Sequence, residues 1–190
     1  MKLIALIIWL IAANAFGQFN FSDIAFNAPR TTATAETYNL YTNYSGTSAR
    51  GGFNGLVGMI WTNTVAITVT HLGTWVTLTN NPTQQLQLVN WTNLTAVASV
   101  WINTSNSASA VFIYTNISPV TLIAGTVYCM VRNETNGTTV FQDGGGVPRG
   151  VFSSGTYGGR VYSTAYLLSG LGYEAGDRPY GPHDVKYTLP

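Results

Sequence analysis

The sequence predicts an all-β protein: a two-sheet antiparallel sandwich of about eight strands, jelly-roll-like in connectivity, behind an N-terminal signal peptide. Three observations carry that expectation. Val65, Ile67 and Val69 alternate with Ala66, Thr68 and Thr70, the period of two that sends one set of side chains to each face of a strand. Short β-prone runs recur at 55–61, 86–88, 97–102, 111–117, 126–132, 159–166 and 184–189. Turn formers separate them, among them Asn80-Asn81-Pro82, residues 90–95, 103–109 and 133–138, and Gly144-Gly145-Gly146. After the leader, no segment carries apolar residues at helical spacing over three turns, so the strands have only one another to pack against.

The chain opens with Met1-Lys2, an apolar run over 3–13, and small residues at Ala13, Ala15 and Gly17. One positive charge, a short apolar stretch and a small-residue cleavage pattern describe a secretory leader over residues 1–17. The run is too short to span a bilayer, which takes about 20 residues. No second long apolar stretch follows, so no membrane span is expected in the mature chain. Residues 18–50 read as an N-terminal arm, with an edge strand within 38–44, and residues 51–190 as the sandwich domain. The expected location is outside the cell or at its surface.

Composition narrows the function. Setting Lys2 aside leaves seven basic residues against seven acidic ones. Nucleic-acid binders neutralise phosphates with clustered Lys and Arg; no such cluster exists, and that class is excluded. The polar surface must be built mostly from Thr, Asn, Ser and Gln. Cys129 is the only cysteine, so no internal disulfide is expected. Strand alternation groups it with Val127 and Val131, which predicts a buried, inert thiol.

The residues offer little catalytic equipment. His71 and His183 are far apart and neither has a second histidine at ligand spacing. His71 shares the parity of Val65, Ile67 and Val69 and is expected to point inward as a hydrogen-bonded structural histidine; His183, in Gly181-Pro182-His183-Asp184, reads as a turn residue. No Gly-x-Ser-x-Gly marks a nucleophile. Glu134 and Asp143 flank one turn region and are the pair a glycosidase would need across a cleft, although two solvated loop charges explain them as well. Asp143 beside three glycines is a weak calcium candidate; no other cofactor is expected.

Sugar binding needs less: an exposed aromatic face with amides or carboxylates beside it. Trp91, in Val89-Asn90-Trp91-Thr92-Asn93, is the leading candidate, with Asn90 beside it. Trp101 can face either way, and Trp61 and Trp75 read as packing residues. Tyr157, Tyr162, Tyr173 and Tyr180 lie in a glycine-rich segment that can form a second aromatic surface. The candidate ligand-binding set is therefore Trp91, Asn90, Glu134, Asp143 and Tyr180.

Several phrases, in order along residues 46–188, give the chain a family likeness. They include Arg50-Gly51-Gly52-Phe53-Asn54-Gly55-Leu56-Val57-Gly58-Met59, Ile67-Thr68-Val69-Thr70-His71-Leu72-Gly73-Thr74-Trp75-Val76, and Pro119-Val120-Thr121-Leu122-Ile123-Ala124-Gly125-Thr126-Val127-Tyr128. The ending Tyr180-Gly181-Pro182-His183-Asp184-Val185-Lys186-Tyr187 is the most specific. With these phrases the chain resembles a family of secreted bacterial sandwich modules of unassigned function. The resemblance implies a jelly-roll-like sandwich of the kind found in surface or carbohydrate-active proteins, and no particular activity. The chain departs from it at Gln84, where a His is usual, and at Asn136-Gly137-Thr138 after Glu134, where Gly-Gly-Asp is usual.

The expected function is a non-catalytic extracellular binding module, with a polysaccharide or cell-surface glycan as partner. The alternative is a structural or adhesive subunit of a surface layer, matrix or filament that self-associates through edge strands. A small glycan-active hydrolase is a third reading.

Overall fold

A computed structural model describes residues 36–41, 44, 49–76, 83–105, 107–108, 110–135, 141–142, 154–176 and 179–190. The leader over 1–17, the Asn80-Asn81-Pro82 turn, Asn136-Gly137-Thr138, Asp143 and the three glycines after it lie outside the described residues. The described residues all fall within one compact unit, Ala35–Pro190.

Among the described residues twelve strands follow one another: β1 (Tyr38–Asn39), β2 (Ala49–Arg50), β3 (Gly55–Asn63), β4 (Ile67–Val76), β5 (Gln84–Asn90), β6 (Thr95–Ile102), β7 (Val111–Leu122), β8 (Val127–Glu134), β9 (Phe141–Gln142), β10 (Gly155–Ser163), β11 (Gly172–Glu174) and β12 (His183–Thr188). Eight are six residues or longer (β3 to β8, β10 and β12), and these are the strands the periodicity anticipates. One 3-10 turn, Leu168–Gly170, is the only helical element among the described residues. No helix there is long and apolar enough to cross a membrane.

Two antiparallel sheets pack face to face. One has the order β1-β12-β4-β7 and the other β11-β10-β3-β8-β5-β6; β2 and β9 form a separate two-stranded pair. Between the sheets lies a core of Met59, Trp61, Ile67, Val69, Leu72, Leu86, Leu88, Ile102, Leu122, Tyr128, Met130, Val185 and Tyr187. β3 and β8 sit at the centre of the larger sheet and bury both faces, which is why the segment 55–61 reads as a continuous apolar run rather than an alternation. Their outward side chains, Leu56, Ile60, Cys129 and Val131, join Val89 and Val161 in a second apolar cluster capped by Trp91, Leu168 and Leu171.

β7 runs five residues past its predicted end, through Pro119 to Leu122. It is the last strand of its sheet, the position where a residue without an N–H is tolerated. The bulge between Val69 and His71 breaks the alternation that assigned His71 to the interior. His71 is instead partly exposed and hydrogen-bonded to the Thr70 hydroxyl through Nδ1 at 2.8 Å.

Asp184 ties the N-terminal arm to the small sheet. Its Oδ1 accepts the backbone N–H groups of Leu40 (2.8 Å), Tyr41 (3.2 Å) and Val185 (2.8 Å), and its Oδ2 accepts the Tyr114 hydroxyl at 2.6 Å. Tyr114 reaches it by lying over Gly73, where a Cβ would come within 2.5 Å of the ring. Burial raises the Asp184 pKa and the four donors pull it back, leaving it at about 6 against an ordinary 3.8.

A raised acid stabilises the fold fully below its unfolded pKa and loses that contribution as pH rises through its folded pKa. Between pH 4 and 6 the native protein should therefore lose roughly 2–3 kcal/mol relative to Asp184→Asn. Urea unfolding of both proteins across that range measures it. Parallel stability curves would show that the carboxyl ionises normally in its buried setting.

Candidate functional site: an aromatic groove on the outer face of the large sheet

The sequence Asn90-Trp91-Thr92-Asn93-Leu94-Thr95 builds the turn between β5 and β6. Asn90 Oδ1 accepts the Thr92 N–H at 2.9 Å and Asn93 Oδ1 accepts the Thr95 N–H at 3.1 Å, local bonds that short polar side chains offer at turns. Leu94 takes the left-handed conformation at φ 54°, which costs a non-glycine residue about 1–2 kcal/mol. The Asn90 side chain is thus spent on the turn and serves the site by setting the backbone of Trp91.

Trp91 donates its backbone N–H to Val127 at 3.1 Å and lays its indole on the second apolar cluster. Facing it across the sheet is Tyr173 of β11, half exposed, whose hydroxyl donates to the Gly158 carbonyl at 2.9 Å. The two rings border a groove of about 250 Å³ lined also by Ile60, Thr62, Val127 and Gly158. A Cβ on Gly158 would sit 3.3 Å from Ile60, so glycine gives the wall its depth. Among the described residues no charged side chain lines the groove.

Tyr180 lies elsewhere. It belongs to a recess of about 210 Å³ bordered by Arg50, Phe53, Phe141, Tyr162 and Glu174. Tyr180 meets Phe141 edge-on at 5.9 Å and Tyr162 at 6.0 Å, and the Arg160 guanidinium covers its face at 4.6 Å. Arg160 also pairs with Glu174, whose other oxygen accepts the Tyr180 hydroxyl at 3.3 Å. The Tyr180 ring is surrounded by protein on its face and edges and offers little surface for stacking.

Glu134 is the clearest correction. Read from sequence as a loop acid, it is 1% exposed and points between the sheets. It accepts Arg132 Nε at 2.7 Å and pairs with Nη2 at 2.5 Å. Arg132 Nη1 donates to the Thr74 hydroxyl at 2.8 Å; Thr74 meets His183 Nδ1 at 3.2 Å, and His183 Nε2 meets the Val57 carbonyl at 3.3 Å. A carbonyl only accepts, so Nε2 carries the proton and Nδ1 accepts from Thr74. Burial first and Arg132 second hold the His183 pKa well below the usual 6.5. His183 is therefore a fully buried strand residue rather than a turn residue. The sequence reading missed Arg132; its one signal is the shared parity with the core residues Tyr128 and Met130.

The structure thus brings together Asn90 and Trp91, adds Tyr173, and separates them from Tyr180 and Glu134; Asp143 lies outside the described residues. Among those residues no three His, Cys, Asp or Glu side chains gather as a metal would require. Cys129 is buried, and burial pushes its thiol up to about 12. No protein-family model matches the chain, and no curated protein does.

Removing Arg132 alone strands a buried carboxylate, so Arg132→Met should cost about 3–5 kcal/mol, whereas Arg132→Met with Glu134→Leu should fall within about 1–2 kcal/mol of wild type. Chemical denaturation compares the two. A double variant as unstable as the single one would mean that the wider hydrogen-bonded chain, and not the uncompensated charge, carries the cost.

Proposed function

We propose that this protein is an extracellular, non-catalytic binding module for a polysaccharide or cell-surface glycan, and that the Trp91–Tyr173 groove holds the sugar. The observation that carries the reading is a pair of aromatic rings fixed by their own backbone and hydroxyl bonds, with neither ring engaged by another ring or by a cation among the described residues. Rigid amphipathic aromatics offer large contact area at little entropic cost. The uncharged lining suits a neutral ligand, and the Thr62 hydroxyl supplies a polar group within an otherwise apolar wall. The leader-like first 17 residues and the low charge of the chain support an extracellular setting.

Assembly through edge strands has less support. Three of the four edges of the two packed sheets discourage strand addition: β1 and β11 have two and three residues, and β7 contains Pro119. The fourth, β6, is an eight-residue edge without proline and is the one that leaves this reading open.

Affinity electrophoresis through gels containing xylan, mixed-linkage β-glucan, galactomannan or pectin tests the reading. The mature protein should be retarded by at least one neutral polymer. Trp91→Ala should weaken that retention about tenfold or more, the equivalent of roughly 1.4 kcal/mol. Unchanged mobility in every gel would refute the proposal.

A further inference from the structure

The largest sheet exposes a second indole that the groove does not use. Ile102 is buried in the inter-sheet core and Val100 and Ala98 pack against it, so strand alternation turns Trp101 and Ser99 to the outer face, the face that also carries Trp91. Trp101 is 60% exposed. In register it stands opposite Gln85. The Gln85 amide donates to the Ser99 hydroxyl at 3.0 Å and accepts from Asn133 Nδ2 at 3.5 Å. The result is a row of uncharged donors and acceptors running across three strands beside a bare aromatic ring. Gln87, opposite both Ser99 and Val131, continues it towards the groove.

An exposed tryptophan alone needs no explanation. This one has an orientation and a setting: it shares its face with the groove, no charged side chain stands among the outward residues of β5 and β6, and its polar neighbours are already bonded to one another, which fixes them in place. Gln85 and Trp91 are separated by six residues of extended chain, about 20 Å at roughly 3.3 Å per residue.

Building on the glycan-binding reading, we propose that Trp101, with Gln85, Ser99 and Asn133, is a second station for the same ligand, and that the ligand is a neutral polysaccharide in extended form lying along β5. The absence of charge on this strip selects against uronic-acid polymers, whose carboxylates would lose water without gaining a cation. Two stations on one rigid face make the second contact intramolecular, so a chain long enough to touch both gains affinity that neither station gives alone.

The test uses the mature protein and a size ladder of oligosaccharides cut from whichever neutral polymer retards it, from the monomer to chains longer than about 20 Å. Wild-type affinity, measured by calorimetry, should rise with length and level off once both stations are spanned. Trp101→Ala, at an exposed position that leaves the melting temperature unchanged, should remove that rise, weakening long chains about tenfold or more while short chains bind as before. Gln85→Ala should reproduce part of the loss. If Trp101→Ala binds long chains like wild type while Trp91→Ala does not, the second station is wrong and the groove stands. If affinity does not depend on length, the extended ligand is wrong. If no polymer binds the wild type, the glycan reading falls and this inference falls with it.

Discussion

The pairing of β3 with β8 at the centre of the larger sheet imposes the constraint that organises the molecule. Both strands are apolar on both faces, and a sheet in that position needs cover on both sides. The smaller sheet supplies it on one side. On the other, the described residues form no third layer, and cover comes from Leu168 and Leu171 of the β10–β11 connection and from Trp91 of the β5–β6 turn. A covering made of loops is incomplete, and the parts of the sheet it leaves open are where the aromatic rings stand exposed. The groove and the Trp101 strip are thus consequences of how the second apolar cluster is capped, and Trp91 belongs to both the packing and the site.

A chain with so few charges uses several of them inside. Arg132 and Glu134 pair between the sheets, and Asp184 draws three backbone N–H groups and one hydroxyl to itself. The first arrangement is not free of cost. Among the described residues Glu134 Oε2 has no hydrogen-bond partner, and neither polar atom of Gln84 has one. Continuing the β5–β8 register from Leu86 and Arg132 sets Gln84 directly opposite Glu134, so the unmatched atoms share one place at the end of the core. Each such group costs about 1–3 kcal/mol. What the buried charges provide is connection: Arg132, Thr74, His183 and Val57 belong to β8, β4, β12 and β3, two strands from each sheet.

Most of the frame was legible because alternation is a local signal. The runs that became β3 to β8, β10 and β12, the inward Trp61, and the burial of Cys129 all follow from side-chain parity and composition. Parity failed where the backbone slips. The bulge after Val69 turned His71 away from the face its neighbours predict, and no residue there announces it. Glu134 and His183 are misplaced for a different reason: each looks like a loop residue beside its turn-forming neighbours, while Glu134 is made tolerable in the core by Arg132 two residues back on its own strand and His183 by Thr74 and Val57 on strands far away in sequence. Composition alone leaves Trp101 free to face either way, and the burial of Ile102 in the core turns it outward. The aromatic residues of the C-terminal segment shared a neighbourhood in sequence but not in space, since Tyr173 faces the groove while Tyr162 and Tyr180 meet in the other recess and Tyr157 packs against the inter-sheet core.

The two recesses show why aromatic content by itself does not define a binding surface. Around Tyr180 the rings touch edge to face and a guanidinium covers the exposed π-face, so their favourable contacts are already made within the protein. Opening that recess to a ligand would break an ion pair and a cation–π contact before anything was gained. Trp91 packs one side of its indole on the second apolar cluster and Tyr173 is tied by its hydroxyl, which fixes both rings and leaves their outward sides to the groove. A ligand that stacks there breaks nothing and orders almost nothing, and that difference in what must be given up favours the outer groove over the recess as the binding surface.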